Sequence, residues 1–264
     1  MIHPIKSVKA HYYTWAAKHF YFTNDSKRIK RLKGSHKGKV CFVIGNGPSL
    51  KPVDLNKLAD LGIPTFAANR VYKIFEKTYW RPTYFFSEDP IIIRDIEKEI
   101  NEIDCRYKFI PIQLKWYDGI NINHAFYFNM IHQRDDSIDY GFYDELENKV
   151  AWNGTVTITA IQFAAYMGYT DIYMIGVDHS YAKVIDSKGN VIEDKTIKDY
   201  FDDSYDKGIE KVIEHHLDVT TESFYRTNKH FTSKGIHIYN ATRGGKLEIF
   251  PRLNLDSFFE EYTK

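Results

Sequence analysis

Cysteine, long apolar runs and net charge are all scarce in this 264-residue sequence. Its two cysteines, Cys41 and Cys105, have no metal-ligand spacing, and isolated thiols are typical of a reducing compartment. No apolar stretch approaches the roughly 18 residues that span a bilayer, and no continuous apolar segment of a secretory signal is visible. The formal net charge of +1 does not indicate a nucleic-acid partner. We therefore expect a soluble cytoplasmic protein.

Apolar and charged residues occur in ordinary amounts, at 43% and 27% of the chain. This composition excludes a disordered chain, a collagen-like fibre and a disulfide scaffold. The length suits one large α/β domain, or a domain with a small appendage.

The small net charge hides a strong asymmetry along the chain. Residues 1–40 hold ten lysines and arginines against one acid, Asp25, so this part carries +9 and residues 41–264 carry −8. Aromatic side chains lie between these cations: Tyr12, Tyr13, Trp15, Phe20, Tyr21 and Phe22. This pattern is typical of a segment on an anionic membrane surface, here the inner face of the membrane, and equally of a helix that packs its aromatics on the body. We treat residues 1–37 as a basic aromatic arm and leave both interpretations open.

Apolar runs of strand length alternate with helical patterns in residues 38–264. Strands are predicted at residues 40–44, 64–68, 84–86, 107–112, 172–175 and 236–239. Helices are predicted at residues 50–61, 91–103, 155–167, 203–217, 219–233 and 256–262. Residues 113–150 are harder to interpret and could form a lid or insertion. The alternation predicts a single α/β domain with a doubly wound, mostly parallel, Rossmann-like sheet and helical covering segments.

Ligands bind beyond the carboxyl ends of such strands, so the residues there are the candidates for a site. A glycine-rich loop after the first strand contains Gly45, Asn46, Gly47 and Ser49. Its glycines permit a tight turn and the close approach of a phosphate or ribose, although a purely structural turn would also explain them. Asn69 stands at the end of the second strand, where a nicotinamide-binding protein has an acid, which disfavours that class.

Two further groups of polar residues accompany the later elements. Asn153, Gly154 and Thr155 open a helix, where backbone N–H groups favour a phosphate, and a simple helix cap is the alternative. Asp178 follows another strand and could bind a ribose, a metal or an acceptor hydroxyl, or only cap a turn. Tyr181, three residues later, could donate a hydrogen bond to a phosphate.

His215 and His216 are adjacent in a predicted helix. Their side chains would point in different directions, which makes them a poor metal site. One of them would suit general-base work near neutral pH, and a solvated histidine is the alternative.

These motifs together resemble one superfamily. It contains the Campylobacter-type bacterial sialyltransferases, the motility-associated-factor glycosyltransferases and the MptE-like 6-hydroxymethylpterin diphosphokinases. The resemblance covers residues 38–243 and leaves the arm outside. It implies a Rossmann-like fold of the GT-A-variant kind.

The resemblance also implies roles for individual residues. Asn46, Ser49 and Asn69 would contact a cytidine nucleotide, and Asn153, Gly154 and Thr155 would lie near its base or phosphate. Tyr181 would support the leaving phosphate, and His216 or His215 would act as general base. Asp89 stands where the sialyltransferases have an asparagine, and their arginine before the helix glycine has no counterpart. These departures weaken the expectation of sialic acid as the sugar more than the expectation of a nucleotide-activated donor.

The sequence thus predicts a glycosyltransferase that uses a nucleotide-activated sugar, CMP-linked, to extend a bacterial surface glycan. The alternative is a diphosphokinase that moves pyrophosphate from ATP to a hydroxymethyl acceptor, and a non-catalytic nucleotide-sensing protein is a third class. The first needs no cofactor and no metal site, whereas the second requires Mg²⁺. The expected partners are the donor, a glycan or glycolipid acceptor and, through residues 1–37, an anionic membrane surface. A homo-oligomer is left open.

Overall fold

A seven-stranded, all-parallel sheet forms the centre of the molecule. The computed structural model describes residues 4–131, 141–185, 190–205 and 217–263, with side chains from residue 11 onward. In spatial order the strands are β11 (His237–Asn240), β8 (Asp171–Ile175), β1 (Val40–Ile44), β2 (Thr65–Ala68), β3 (Tyr84–Phe86), β4 (Tyr107–Pro111) and β5 (Phe126–Phe128). Two small sheets pair β6 (Met130–Ile131) with β7 (Val150–Ala151) and β9 (Lys183–Ile185) with β10 (Val191–Glu193). The predicted Rossmann-like α/β class is confirmed.

Helices cover this sheet and join its strands. Their bounds are α1 (Pro4–Lys18), α2 (Asn24–Lys30), α3 (Pro52–Asp60), α4 (Pro90–Asp95), α5 (Glu97–Glu102), α6 (Ile112–Asp118), α7 (Val156–Met167), α8 (Leu217–Thr232) and α9 (Leu255–Tyr262). Short 3₁₀ helices lie at Phe20–Phe22 and Asn69–Lys77. The central strands are apolar throughout because they are covered on both faces, and Phe42, Phe66 and Phe85 are fully buried.

Three parts of the chain differ from the sequence prediction. The helix predicted at residues 91–103 is two helices, α4 and α5, separated at Ile96. The range 113–150 contains β5, which extends the central sheet beside β4 and which the sequence analysis did not predict. Residues 203–205, predicted as the start of a helix, form a turn, and residues 206–216 lie outside the described residues.

The arm packs on the body through part of its side chains. Phe20 and Ile29 are buried, and the Arg28 guanidinium donates to the carbonyl of Ala125 at 2.7 Å. Tyr12, Trp15, Tyr21 and Phe22 are instead 48–64% exposed. Some arm aromatics therefore pack against the body, as one interpretation proposed, while others remain at the surface. The boundary at residue 37 stays a prediction.

Backbone hydrogen bonds tie the end of the arm to the body. The N–H of Gly34 donates to the carbonyl of Tyr166 at 3.0 Å, and that of His36 to the carbonyl of Met167 at 2.7 Å. Both carbonyls lie in the last turn of α7, where they have no partner within the helix. None of the described helices is long and apolar enough to cross a membrane.

The strand order reverses between β1 and β8, because β2 to β5 lie on one side of β1 and β8 lies on the other. The loops that follow these two strands touch. The N–H of Gly45 donates to the carbonyl of Ile175, and that of Gly47 to the carbonyl of Gly176, both at 2.8 Å. A Cβ atom at Gly45 would lie 2.2 Å from the carbonyl oxygen of Gly176. Glycine is therefore required here by the contact of two backbone segments.

We predict that Gly45→Ala lowers the free energy of unfolding by about 3 kcal/mol, at the upper end of overpacking costs, because the methyl group would force two main chains apart. Urea unfolding followed by circular dichroism measures this loss. Gly62→Ala is the matched control, since Gly62 has a φ of +64° but nothing within 4 Å of an added Cβ. It should cost about 1 kcal/mol from backbone strain alone. Equal losses for the two variants would contradict the contact between the loops.

Candidate active site

A cavity of about 650 Å³ opens where β1, β2, β3 and β8 end. This volume lies within the range of small-molecule sites, and the position is the one that open parallel sheets use for ligands. Nine of the sequence-predicted residues line it: Gly45, Asn46, Gly47, Asn69, Asp89, Gly154, Thr155, Asp178 and Tyr181. The topology thus brings together residues that lie up to 136 positions apart, from Gly45 to Tyr181.

Asn46 and Asn69 place two amides in the wall of the cavity. The Nδ2 of Asn46 donates to the carbonyl of Ala68 at 3.0 Å and to the hydroxyl of Tyr205 at 2.9 Å. Its Oδ1 is buried and accepts no hydrogen bond from the described residues. Asn69 has a φ of +55°, a conformation that asparagine tolerates, and its Oδ1 accepts from the Ser87 hydroxyl. A buried acceptor without a donor costs stability, so the Oδ1 of Asn46 is an unmet acceptor among the described residues.

Asp178 connects the two loops at the strand reversal. Its Oδ2 accepts from the Ser49 hydroxyl at 2.7 Å, and burial raises its pKa against the effect of that hydrogen bond. Ser49 itself does not belong to the cavity wall in the described part of the chain. Its predicted nucleotide contact stays a prediction, and its observed role is to hold the Asp178 carboxylate.

The first turn of α7 faces the cavity. Gly154 has a φ of +80°, and Thr155 caps the helix by accepting from the N–H of Thr157. The N–H of Thr157 is thus taken by the cap, and that of Ile158 donates to the carbonyl of Thr155 at 3.0 Å. The N–H of Val156, the first residue of the helix, suits a phosphate group. Asn153 is buried outside the cavity wall and donates to the carbonyl of Ala151. Asp89 caps the neighbouring α4 by accepting from two of its N–H groups.

Tyr181 brings a phenol to the wall of the cavity. Burial raises its pKa to about 12, so the hydroxyl keeps its proton at neutral pH. A protonated phenol donates a hydrogen bond, which is the property that the sequence analysis required of it.

Glu88 is a cavity residue that the sequence analysis missed. Its side chain is 6% exposed, and its Oε2 accepts from the hydroxyl of Thr159 on α7 at 2.7 Å. Burial raises its pKa to about 7, because the charged form loses most of its hydration. The signal available in the sequence was its position directly before Asp89, at the end of a buried strand.

His179 was also passed over, although it stands between Asp178 and Tyr181. It lines the cavity, and its φ of +53° is uncommon for a residue with a side chain. Its Nε2 lies 2.7 Å from the Oγ1 of Thr221 on α8. Burial lowers its pKa below the usual value of 6.5. His215 and His216, which the sequence analysis favoured, lie outside the described residues.

The segment from residue 199 to residue 205 forms another missed part of the wall. Tyr200 and Tyr205 stack with ring centroids 3.9 Å apart, and both line the cavity. The N–H of Phe201 donates to the carbonyl of Asn46 at 3.1 Å, which fixes this segment over the first loop. No local motif indicates it, since the contact joins residues more than 150 positions apart.

The charges around the cavity are acidic. Within the described wall, the carboxylates are those of Glu88, Asp89, Asp178 and Asp199, and there is no lysine or arginine. No group of three or more His, Cys, Asp or Glu side chains in the described parts of the chain has an arrangement that could hold a metal ion.

A comparison with protein families matches residues 15–184 to the 6-hydroxymethylpterin diphosphokinase MptE-like family. The chain belongs to this MptE-like family. The match begins within the arm, which the resemblance had left outside, so the second half of the arm is part of the family's sequence. Comparison with curated proteins finds no match.

A solved structure is similar to this MptE-like chain, the MAf glycosyltransferase from Magnetospirillum magneticum AMB-1. The TM-score is 0.53 at 14% sequence identity, and the match covers 88% of this chain and 38% of that one. The chain thus spans well under half the length of this neighbour. At this identity the likeness shows a shared fold.

The buried carboxyl of Glu88 should make stability depend on pH in a defined direction. Its folded-state pKa is raised from 4.5 to about 7, so stability is lost as pH rises through that interval. We predict that Glu88→Gln, which keeps an oxygen for Thr159, is more stable than the native chain by up to about 3 kcal/mol at pH 8. The difference should vanish at pH 4.5. Urea unfolding at several pH values measures it.

The exposed Glu260 supplies the control. Glu260→Gln should leave the free energy of unfolding within about 0.5 kcal/mol of that of the native chain, since that side chain is exposed. If Glu88→Gln shows the same pH dependence as the native chain, Glu88 is ionised and solvated in the folded state.

Proposed function

We propose that this chain is a glycosyltransferase whose donor is a sugar linked to CMP. The charge of the described cavity wall carries the proposal, because it holds four carboxylates and neither lysine nor arginine. Glu88, with a pKa of about 7, is only partly ionised at neutral pH, and a triphosphate would be repelled at close range by the ionised groups of this wall. A CMP-linked sugar has a single phosphate, which the N–H of Val156 and the positive end of the α7 dipole would suit.

The other contacts agree with such a donor. The cavity volume of about 650 Å³ is large enough for a nucleotide and a sugar. The buried Oδ1 of Asn46 would accept from a donor group of the ligand. Tyr181 would donate to the phosphate oxygen as the bond to the sugar breaks, which stabilises the charge that develops there. The acceptor in this proposal is a hydroxyl group of a bacterial surface glycan or glycolipid.

The second candidate is pyrophosphate transfer from ATP to a hydroxymethyl group, and the family match favours it. Mg²⁺ would be essential in that reaction, because it would neutralise both the triphosphate and the acidic wall. The two candidates therefore differ in which nucleotide binds and in whether binding needs a divalent cation.

Thermal shift with CMP, CDP, UDP, GDP and ATP, each with and without Mg²⁺, separates the candidates. We predict that CMP raises the melting temperature without metal. At a hundredfold excess over its Kd it should stabilise the fold by about 2.7 kcal/mol, or about 5–10 °C for a chain of this size. Stabilisation by ATP and Mg²⁺, with no effect of cytidine nucleotides, would support the diphosphokinase instead.

Asn46→Ala tests the site in the same assay. It should remove the shift by CMP, because it removes the amide from the cavity wall. Asn123→Ala is the control, since Asn123 is exposed and distant in the sequence from every lining residue, and it should keep the full shift.

We also propose that the arm binds an anionic membrane surface. Tyr12 and Trp15 lie one helical turn apart and stack at 6.3 Å between ring centroids, and both are exposed. Trp15 stacks on His19, and the exposed Tyr21 and Phe22 follow two and three residues after that histidine. The same arm carries exposed lysines and arginines: Lys18, Lys27, Lys30 and Arg31. Aromatic rings with nearby cations suit the headgroup region of an anionic bilayer.

Sedimentation with vesicles rich in phosphatidylglycerol tests the arm without removing it, since deletion would take the buried Phe20 and Ile29 out of the core. We predict that Trp15→Ser with Phe22→Ser lowers the partition coefficient at least about tenfold, or roughly 1.4 kcal/mol. Tyr225→Ser replaces an exposed aromatic of α8 and should change nothing. Equal binding by all three proteins would assign the exposed rings no role at a membrane.

A further inference from the structure

We propose that His179 is the general base that takes the proton from the acceptor hydroxyl. The inference rests on the proposed sugar transfer and extends it, because it places the base on the strand-end loop after β8. The sequence resemblance had placed the base at His215 or His216.

The position of His179 is the first argument. It lies at the strand reversal, one residue after Asp178 and two before Tyr181, and all three line the cavity. Within the described wall of that cavity it is the sole histidine. Its left-handed backbone, with a φ of +53°, costs energy, and such conformations persist where surrounding contacts hold them.

The imidazole is held from α8. Its Nε2 lies 2.7 Å from the Thr221 hydroxyl oxygen, and the ring meets that of Phe224 edge to face at 5.7 Å. Nδ1 makes no hydrogen bond with the described residues. When Nε2–H donates to Thr221, the lone pair of Nδ1 is the proton acceptor. Thr221 thus has the positioning role of a group that orients a catalytic histidine.

The protonation state fits a base. Burial keeps the ring uncharged at neutral pH. The titratable groups around it are Asp178 on the same loop, Glu222 beside Thr221 on α8, and the cavity residues Glu88, Asp89, Asp199 and Tyr181. The carboxyl group of Asp178 accepts a hydrogen bond from the Ser49 hydroxyl, and that of Glu88 accepts one from the Thr159 hydroxyl.

The proton and the electrons balance in this step. Nδ1 takes the hydroxyl proton as the acceptor oxygen forms its bond to the anomeric carbon of the sugar. The bond from that carbon to the phosphate oxygen breaks, and its electron pair leaves with CMP. Tyr181 donates a hydrogen bond to the departing phosphate.

The test follows release of CMP from CMP-N-acetylneuraminic acid, with water as acceptor, between pH 5 and pH 9. His179→Gln should lower kcat by about 10²- to 10⁴-fold and abolish the fall of the rate below pH 6.5, while the Kd of CMP changes less than about twofold. Thr221→Val should keep the affinity for CMP and should shift the pH at which the rate falls on the acid side of the profile. His237→Gln replaces an exposed histidine outside the described cavity wall; it is the control and should retain both the rate and its dependence on pH.

Nitrogen-15 NMR of the histidine rings gives a second readout that needs no turnover. The proposal requires the Nε2–H tautomer of His179 and a pKa below 6.5. An Nδ1–H tautomer, a higher pKa, or an unchanged rate and pH profile in His179→Gln would overturn it, even where CMP binds. If the native chain neither binds CMP nor releases it, the sugar-transfer proposal fails as well, and the two failures are thereby distinguished.

Discussion

The close contact between the loops after β1 and β8 is the constraint on which the rest of the site depends. Two backbone hydrogen bonds of 2.8 Å and the bond from Ser49 to Asp178 join these loops at the point where the strand order reverses. Because the loops touch, residues of both loops line the same cavity, and the side chains that follow them contribute to its wall. Asn46, Asp178 and His179 owe their positions to this contact.

Much of the fold was predictable because the central strands are buried on both faces and so appear as apolar runs. The run at Val40–Ile44 and the pattern from Val156 to Met167 needed no information beyond the sequence. The strand at Phe126–Phe128 was missed because it has three residues and lies among polar turns. Its place at the sheet edge is fixed by contacts with the arm, which no local pattern could reveal.

The candidate site was predictable where a residue's position at a strand end decides its location, as for Asn69 and Asp89. It was not predictable where burial or distant contacts decide the chemistry. Glu88 carries no sequence sign of its raised pKa, since that depends on α7 covering it. The glycines were expected to let a phosphate approach closely. At position 45, however, glycine is required because the main chain at Gly176 passes within contact distance.

Helix α7 is the element shared by the arm and the cavity. Its first turn faces the cavity, and its last carbonyls accept from Gly34 and His36. Twelve residues of α-helix form a rigid rod of about 18 Å. A surface bound through the arm would therefore hold the reacting centre at a fixed height. The protein would then reach only those acceptor groups that lie at a matching distance from the bilayer surface.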